Sequence, residues 1–386
     1  MTSQPATPLL YVELLSNIRQ ISLAISLGSA SDASTRVVVA ADGENVELTH
    51  HGQSHTLHLP AKVALGGAIL PIQRPGASAL SWRLPLGQGT YTDASSAESS
   101  TWTATDLKAG SEVVCRQCQA VVVKRDVVKV WKDLPSENWA EMMEFWHCHK
   151  PGDHDHDHHH HDKSNGVDAN GQSDRADDMS LAARGYGASS AISAQQGVGF
   201  VDLTTLLFVE QDCSNITLGF YNFRTAAVTL LKWQISCDSV SNLSPGLEEC
   251  LAATLISTIA RSGSSKSLLL PITETIATTE EEGVGKDQVV HIWVLNSGIV
   301  FTSSAMEATV TRPGAESGIP AMKLLYRLVP REEADRMLDS LTGDAQEVNL
   351  PTEAIKEVVE RLDRSNCLLP TTERVFKEWK VGLLRR

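Results

Sequence analysis

The chain has 386 residues, 42% of them hydrophobic, which is ample for a core and for two domains or one large domain with insertions. Its formal net charge of −14 argues against direct binding of nucleic acid over a broad face, because an acidic surface repels phosphate backbones. Seven cysteines scattered through a chain of this length suit a reducing compartment with free or metal-bound thiols rather than a disulfide framework.

The opening residues, Met1 to Pro8, have no basic stretch leading into an apolar run, so no signal peptide is expected. No window approaches the roughly 18 apolar residues a spanning helix needs, so no membrane partner is expected either. The expected location is cytoplasmic and nuclear.

Residues 10 to 130 read as β structure. Val37 to Ala40 runs into the turn pair Asp42-Gly43, and Val46 and Leu48 then alternate with polar residues. A second turn at His51-Gly52 leads to Leu57 and Leu59. This is the period-two signature of a meander with one wet face. Val121 to Val123 and Val127 to Val130 are β-branched runs interrupted by Lys124-Arg125-Asp126. A sandwich or open barrel is the expected form.

Ser136 reads as a helix N-cap with Glu137 in the first turn. Trp139, Met142, Met143 and Trp146 recur at helical spacing, which predicts a short amphipathic helix ending near Cys148 and His149. Residues 152 to 178 are rich in His, Asp, Asn, Gly and Ser and are expected to be a disordered insertion.

Beyond it, Val201 to Val209 and Val228 to Ile235 read as strands. Ser244 and Pro245 predict the start of a helix striped by Leu247, Leu251, Leu255 and Ile259, with Gly263 ending it. Strands are expected at Val289 to Leu295, Ile299 to Thr302 and Met322 to Val329. A second helix carries Ile355, Val358, Val359 and Leu362 on one face, with Glu357 and Arg361 paired at i, i+4. A last short helix is expected around Val375, Phe376 and Trp379. The fold class expected is α+β: a β-rich N-terminal domain over 8–151 with a zinc knuckle, packed on an α+β C-terminal domain over 179–386.

Cys115 and Cys118, in Val114-Cys115-Arg116-Gln117-Cys118-Gln119, together with Cys148 and His149 about thirty residues on, suit one tetrahedral structural zinc. His147 is the alternative fourth ligand. Such a site supplies on the order of 10 kcal/mol of apparent binding energy and clamps two distant segments. Four protein ligands close the ion and leave no position for an activated water. The rival readings of the Cys-x-x-Cys are a redox pair, which normally opens a helix, and two core cysteines. Cys213, Cys237, Cys250 and Cys367 have no adjacent His and read as small buried residues.

The segment Leu134-Pro135-Ser136-Glu137-Asn138-Trp139-Ala140-Glu141-Met142-Met143-Glu144-Phe145-Trp146-His147-Cys148-His149-Lys150-Pro151 resembles the signature of the HECT-like ubiquitin-conjugating-enzyme-binding family. Tyr11 to Leu15, Ser81 to Leu86, Cys115 to Cys118, Gly197 to Asp202, Leu231 to Trp233, His291 to Trp293 and Leu369 to Leu384 agree with it. The resemblance implies binding of a ubiquitin-conjugating enzyme and a ubiquitin-protein ligase or adaptor role. It also implies an alternative, a non-catalytic chaperone or regulator of the endonuclease of pre-mRNA cleavage and polyadenylation. A HECT ligase carries ubiquitin on a cysteine in a Thr-Cys context near its C-terminus. This chain has no Thr-Cys pair, and its late Cys367 precedes Leu368-Leu369-Pro370, so no catalytic cysteine is identified.

Overall fold

A computed structural model describes residues 7–87, 101–134, 194–214, 218–223, 226–241, 243–272, 288–306, 318–340 and 345–386. The architecture is α+β and strand-rich. By internal contacts the chain divides into two compact units: residues 1–100 with 247–386, and residues 101–246. This partition is nested, where the sequence reading drew consecutive domains over 8–151 and 179–386. No helix among the described residues is long and apolar enough to cross a membrane.

The first unit opens with β1 (Leu9–Leu15), β2 (Gln20–Ser26), β3 (Arg36–Val39), β4 (Asn45–His50), β5 (Gln53–His58), β6 (Ile69–Leu70) and β7 (Ala79–Pro85). The expected meander is here. Gly43 sits at φ +74 in the turn before β4, and His51 and Gly52, at φ +48 and +76, turn β4 into β5. Positive φ at both central residues is the type I′ pattern, whose twist matches that of the flanking strands.

The second unit holds β8 (Val113–Cys115), β9 (Val121–Val123), β10 (Val130–Asp133), β11 (Val198–Val201), β12 (Thr205–Val209), β13 (Phe220–Asn222), β14 (Ala227–Leu231) and β15 (Ile235–Cys237). They form a five-stranded sheet, β10-β11-β12-β14-β13, and a three-stranded sheet, β15-β8-β9. Val113, Val122, Val123, Leu206, Phe208, Val228 and Ile235 from both sheets bury together as one core. The run expected as one strand over 201–209 is the end of β11 and all of β12, an antiparallel pair joined at Asp202.

The first unit resumes with α1 (Leu247–Ser262), β16 (Lys266–Pro271), β17 (Gln288–Ser303), β18 (Ile319–Pro330), α2 (Arg331–Leu338), β19 (Gln346–Leu350), α3 (Thr352–Asn366), β20 (Val375–Phe376) and β21 (Trp379–Arg385). The first helix begins at Leu247 rather than at Pro245, and Gly263 ends it at φ +71 as expected. The two strands expected over 289–302 are one long strand whose register shifts between Val294 and Ile299 absorb the break.

The short helix expected around Val375, Phe376 and Trp379 is instead a hairpin. Phe376 pairs with Trp379, and Lys377 turns the chain at φ +55.

A nine-stranded sheet runs β20-β21-β18-β17-β1-β2-β7, with β16 joining β17 and β19 joining β16. It therefore pairs the first strands of the chain with the last. β1 lies antiparallel to both β2 and β17, with Tyr11 opposite Ser303. At one end its apolar face shares a core with the four-stranded sheet β5-β4-β3-β6, through Leu10, Leu23, Val37, Val46 and Leu48. The β-rich character expected of this half holds, but its main sheet is completed by strands from the end of the chain.

Candidate functional site

The Cys115–Cys118 knuckle lies in the second unit, where β8 turns back into β9. Cys115 ends β8 and its backbone N–H donates to the Ala120 carbonyl at 2.9 Å. Gln119, at φ +59, donates its N–H back to the Cys115 carbonyl at 2.9 Å. The chain between them closes a tight loop with the Gln117 and Cys118 backbone N–H groups directed at the Cys115 sulfur. These donors, Cys118 first, hold the Cys115 thiol below its ordinary pKa although burial works against them. Cys115 is buried and Cys118 exposed.

Arg116, inside the motif, fixes the knuckle to the rest of the unit. Its guanidinium donates to the carbonyls of Ile235 at 2.7 Å, Pro245 at 2.8 Å and Lys232 at 3.3 Å. Its backbone N–H reaches the Gln234 carbonyl at 2.9 Å. Lys232 is completely buried, and its Nζ donates to the carbonyls of Trp102 at 2.6 Å and Leu203 at 3.2 Å. Trp102 donates its indole N–H to the Leu243 carbonyl at 2.8 Å. A cluster of long donors thus satisfies carbonyls at the start of β15 and in the irregular backbone around it. Sequence reasoning missed this role for Arg116, Lys232 and Trp102. The available signal was a Lys and an Arg embedded in apolar, strand-like runs.

Of the four expected zinc ligands the structure describes two, Cys115 and Cys118, and thiolates are donors of the kind zinc takes. The turn's N–H groups favour the thiolate of Cys115, the form that ligates metal. The redox reading needs a helix N-terminus behind the first thiol, and here both flanks are strands. Cys148, His149 and the alternative His147 lie outside the described residues, as does the amphipathic helix expected before them. Among the described residues no group of three or more His, Cys, Asp or Glu is placed to hold a metal ion.

The other described cysteines have settings unlike that of Cys115. Burial, with Asp212 and Glu210 nearby, pushes the Cys213 thiol up to about 11. Burial likewise pushes Cys237 up to about 11. Cys250 is completely buried within α1. Cys367 is exposed, but it caps the C-terminus of α3 and its thiol donates to the Asp363 carbonyl at 3.7 Å.

In the first unit, several segments that carry the family resemblance serve as internal supports. Glu13 accepts from Tyr11 Oη and from Lys323 Nζ, both at 2.9 Å, in a largely buried ion pair. Trp82 donates to the Pro71 carbonyl at 2.9 Å. His291 and Trp293 meet Trp379 edge-on, at ring separations of 4.7 and 6.0 Å, and the Arg327 guanidinium lies 4.7 Å from the Trp379 ring centre.

Two uncharacterized fungal proteins are similar to this chain. One, from Schizosaccharomyces pombe, is 26% identical over 291 residues, 73% of this chain and 76% of its own length. The other, from Saccharomyces cerevisiae, is 40% identical over 52 residues, so the aligned part spans 13% of this chain and only 15% of that protein. No solved structure matches significantly. The model of the HECT-like ubiquitin-conjugating enzyme (E2)-binding family matches residues 13–381, a span that takes in both units and the knuckle, and the chain belongs to that family.

Proposed function

We propose that the protein binds a charged ubiquitin-conjugating enzyme and works as a ligase of the adaptor kind, without carrying ubiquitin on a cysteine of its own. Family membership supports the binding. The observation that supports the adaptor role is the state of the thiols. Of the described cysteines, the one whose thiolate is favoured is Cys115, and it is buried in the knuckle. Transfer of ubiquitin by thioester needs an accessible, stabilised thiolate. Cys213 and Cys237 are pushed the other way, and Cys367 sits at a helix C-terminus.

In the same reading Cys115, Cys118, Cys148 and His149 hold one structural zinc, and the protein resides in cytoplasm and nucleus. The ion supplies a cross-link between two segments of the chain rather than chemistry on a substrate. The test is a titration of full-length protein with conjugating enzyme, free and ubiquitin-loaded, with metal measured on the same sample. Saturable binding and one zinc per chain are expected. Absence of binding to either form, alongside a stable complex with the polyadenylation endonuclease, would move the reading to the non-catalytic chaperone.

A further inference from the structure

A second constellation lies in the first unit, in the connection from β2 to β3 and the β4–β5 turn. Ser29 Oγ is 2.9 Å from His51 Nε2 and 2.9 Å from His50 Nε2. His51 Nδ1 is 3.4 Å from Asp32 Oδ2. His50 Nδ1 is 2.9 Å from Thr35 Oγ1, which also accepts the Asp32 backbone N–H at 2.9 Å.

The tautomers follow from donor and acceptor counting. Hydrogen bonds from Ser34 hold the Asp32 carboxyl below its usual range, so it is ionised and can only accept. His51 therefore carries its proton on Nδ1 and turns the Nε2 lone pair to Ser29. The Ser29 hydroxyl donates to that lone pair. Burial, and then the neighbouring His51, lower the pKa of His50 and keep it neutral. Its Nε2 lies 2.9 Å from Ser29 Oγ and its Nδ1 2.9 Å from Thr35 Oγ1, which is also 3.4 Å from Asp32 Oδ1. The Ser29 hydroxyl thus lies against His51 Nε2 at 2.9 Å, with the Asp32 carboxylate 3.4 Å behind the ring at Nδ1.

The backbone adds a second observation. His51 occupies the first central position of a type I′ turn, at φ +48, where Asn or Gly is the favoured residue. A bulky side chain in this left-handed region costs about 1–2 kcal/mol. This turn conformation sets the His51 ring 4.0 Å from that of His50, beside Ser29. The site is open, with the side chains of His51 and Asp32 51% and 46% exposed.

We propose that Ser29 is a nucleophile toward activated acyl groups, thioesters and aryl esters, with His51 as its general base and Asp32 as the positioning residue. Ser29 Oγ forms a bond to the acyl carbon as its proton passes to His51 Nε2. The C–S or C–O bond of the leaving group breaks, and the departing thiolate or phenolate takes that proton. Water then attacks the acyl carbon as His51 Nε2 takes its proton, the C–Oγ bond breaks, and His51 returns that proton to Ser29 Oγ as the acid leaves. His50, 2.9 Å from Ser29 Oγ on its other side, fixes the orientation of the hydroxyl toward His51. Open access with good leaving groups suits an acyl group presented on a larger molecule.

The proposal is independent of conjugating-enzyme binding. Full-length protein is treated with a fluorophosphonate probe, which forms an O–P bond to a nucleophilic serine and expels fluoride. The adduct is mapped by mass spectrometry. A single adduct at Ser29 is expected, absent in Ser29→Ala and slower by on the order of 100-fold in His51→Gln. Asp32→Asn retains a side-chain acceptor for the Ser34 N–H but presents a donor to His51 Nδ1. It is expected to keep the melting temperature, move the His51 ring proton to Nε2 by nitrogen NMR, and lose labelling. Release of p-nitrophenolate from p-nitrophenyl acetate should rank the variants in the same order. No adduct at Ser29 when a control serine hydrolase is labelled, or wild-type rates in Ser29→Ala or His51→Gln, would overturn the proposal.

Discussion

At the scale of single residues, the balance between burial and hydrogen bonding decides what each group can do. Cys115 and His291 are both buried, yet only the cysteine has donors turned toward it. His291 is 3% exposed and both of its ring nitrogens lack hydrogen-bond partners. Burial first, then Arg327 and Lys266, push it from 6.5 down to about 4. Between those values the unfolded chain binds the proton that the native state refuses. Stability is therefore lost as pH falls from about 6.5 toward about 4, by up to about 3 kcal/mol. Urea unfolding at pH 7 and pH 4.5 should show this loss, and His291→Phe, which keeps an aromatic edge against Trp379, should reduce it. An equal loss in the variant would remove His291 as its source. The Cys-x-x-Cys was legible in sequence because it is local. The Ser29, Asp32 and His51 set was not, since turn geometry rather than a motif brings those residues together.

At the scale of elements, strands and helices were legible where one face is buried. α1 and α3 follow their apolar stripes, with Leu251, Leu255, Val358 and Leu362 all buried. The segment after Pro370 was misread because Val375, Phe376 and Trp379 also fit helical spacing. Pairing with β18 decides it: β21 lies antiparallel to β18 from Ala321 opposite Arg385 to Tyr326 opposite Lys380. α3 packs on β21 where Gly382 leaves room, and a Cβ there would meet Leu362 Cδ2 at 2.8 Å and the Tyr326 ring at 3.2 Å. Leu362 is fully buried, so any shift of its side chain has to be taken up by its neighbours. Gly382→Ala should therefore cost about 1–3 kcal/mol, read as a lower thermal midpoint with secondary structure retained. An unchanged midpoint would mean that this contact relaxes freely. Ser365 adds a polar tie, its Oγ donating to the Leu362 carbonyl at 2.8 Å and accepting the Leu383 N–H at 2.9 Å.

At the scale of the whole molecule, the sheet that joins β1 to β17 makes the first unit discontinuous in sequence. Nothing in the local pattern announces that pairing, because both strands simply read as apolar runs. A fragment of residues 1–134 carries β1, β2 and β7 without β17, leaving one side of β1 unpaired. It should be protease-sensitive and lack a cooperative unfolding transition, and a fragment as resistant as the full chain would contradict the nested division. The same scale holds the central claim, that the chain is a conjugating-enzyme-binding adaptor in which the motif thiols are structural. The most direct measurement mixes full-length protein with conjugating enzyme carrying ubiquitin as a thioester, then separates the products without reductant. The account predicts a stoichiometric complex and no reductant-sensitive ubiquitin adduct on this chain. Such an adduct, abolished by changing one cysteine, would contradict it.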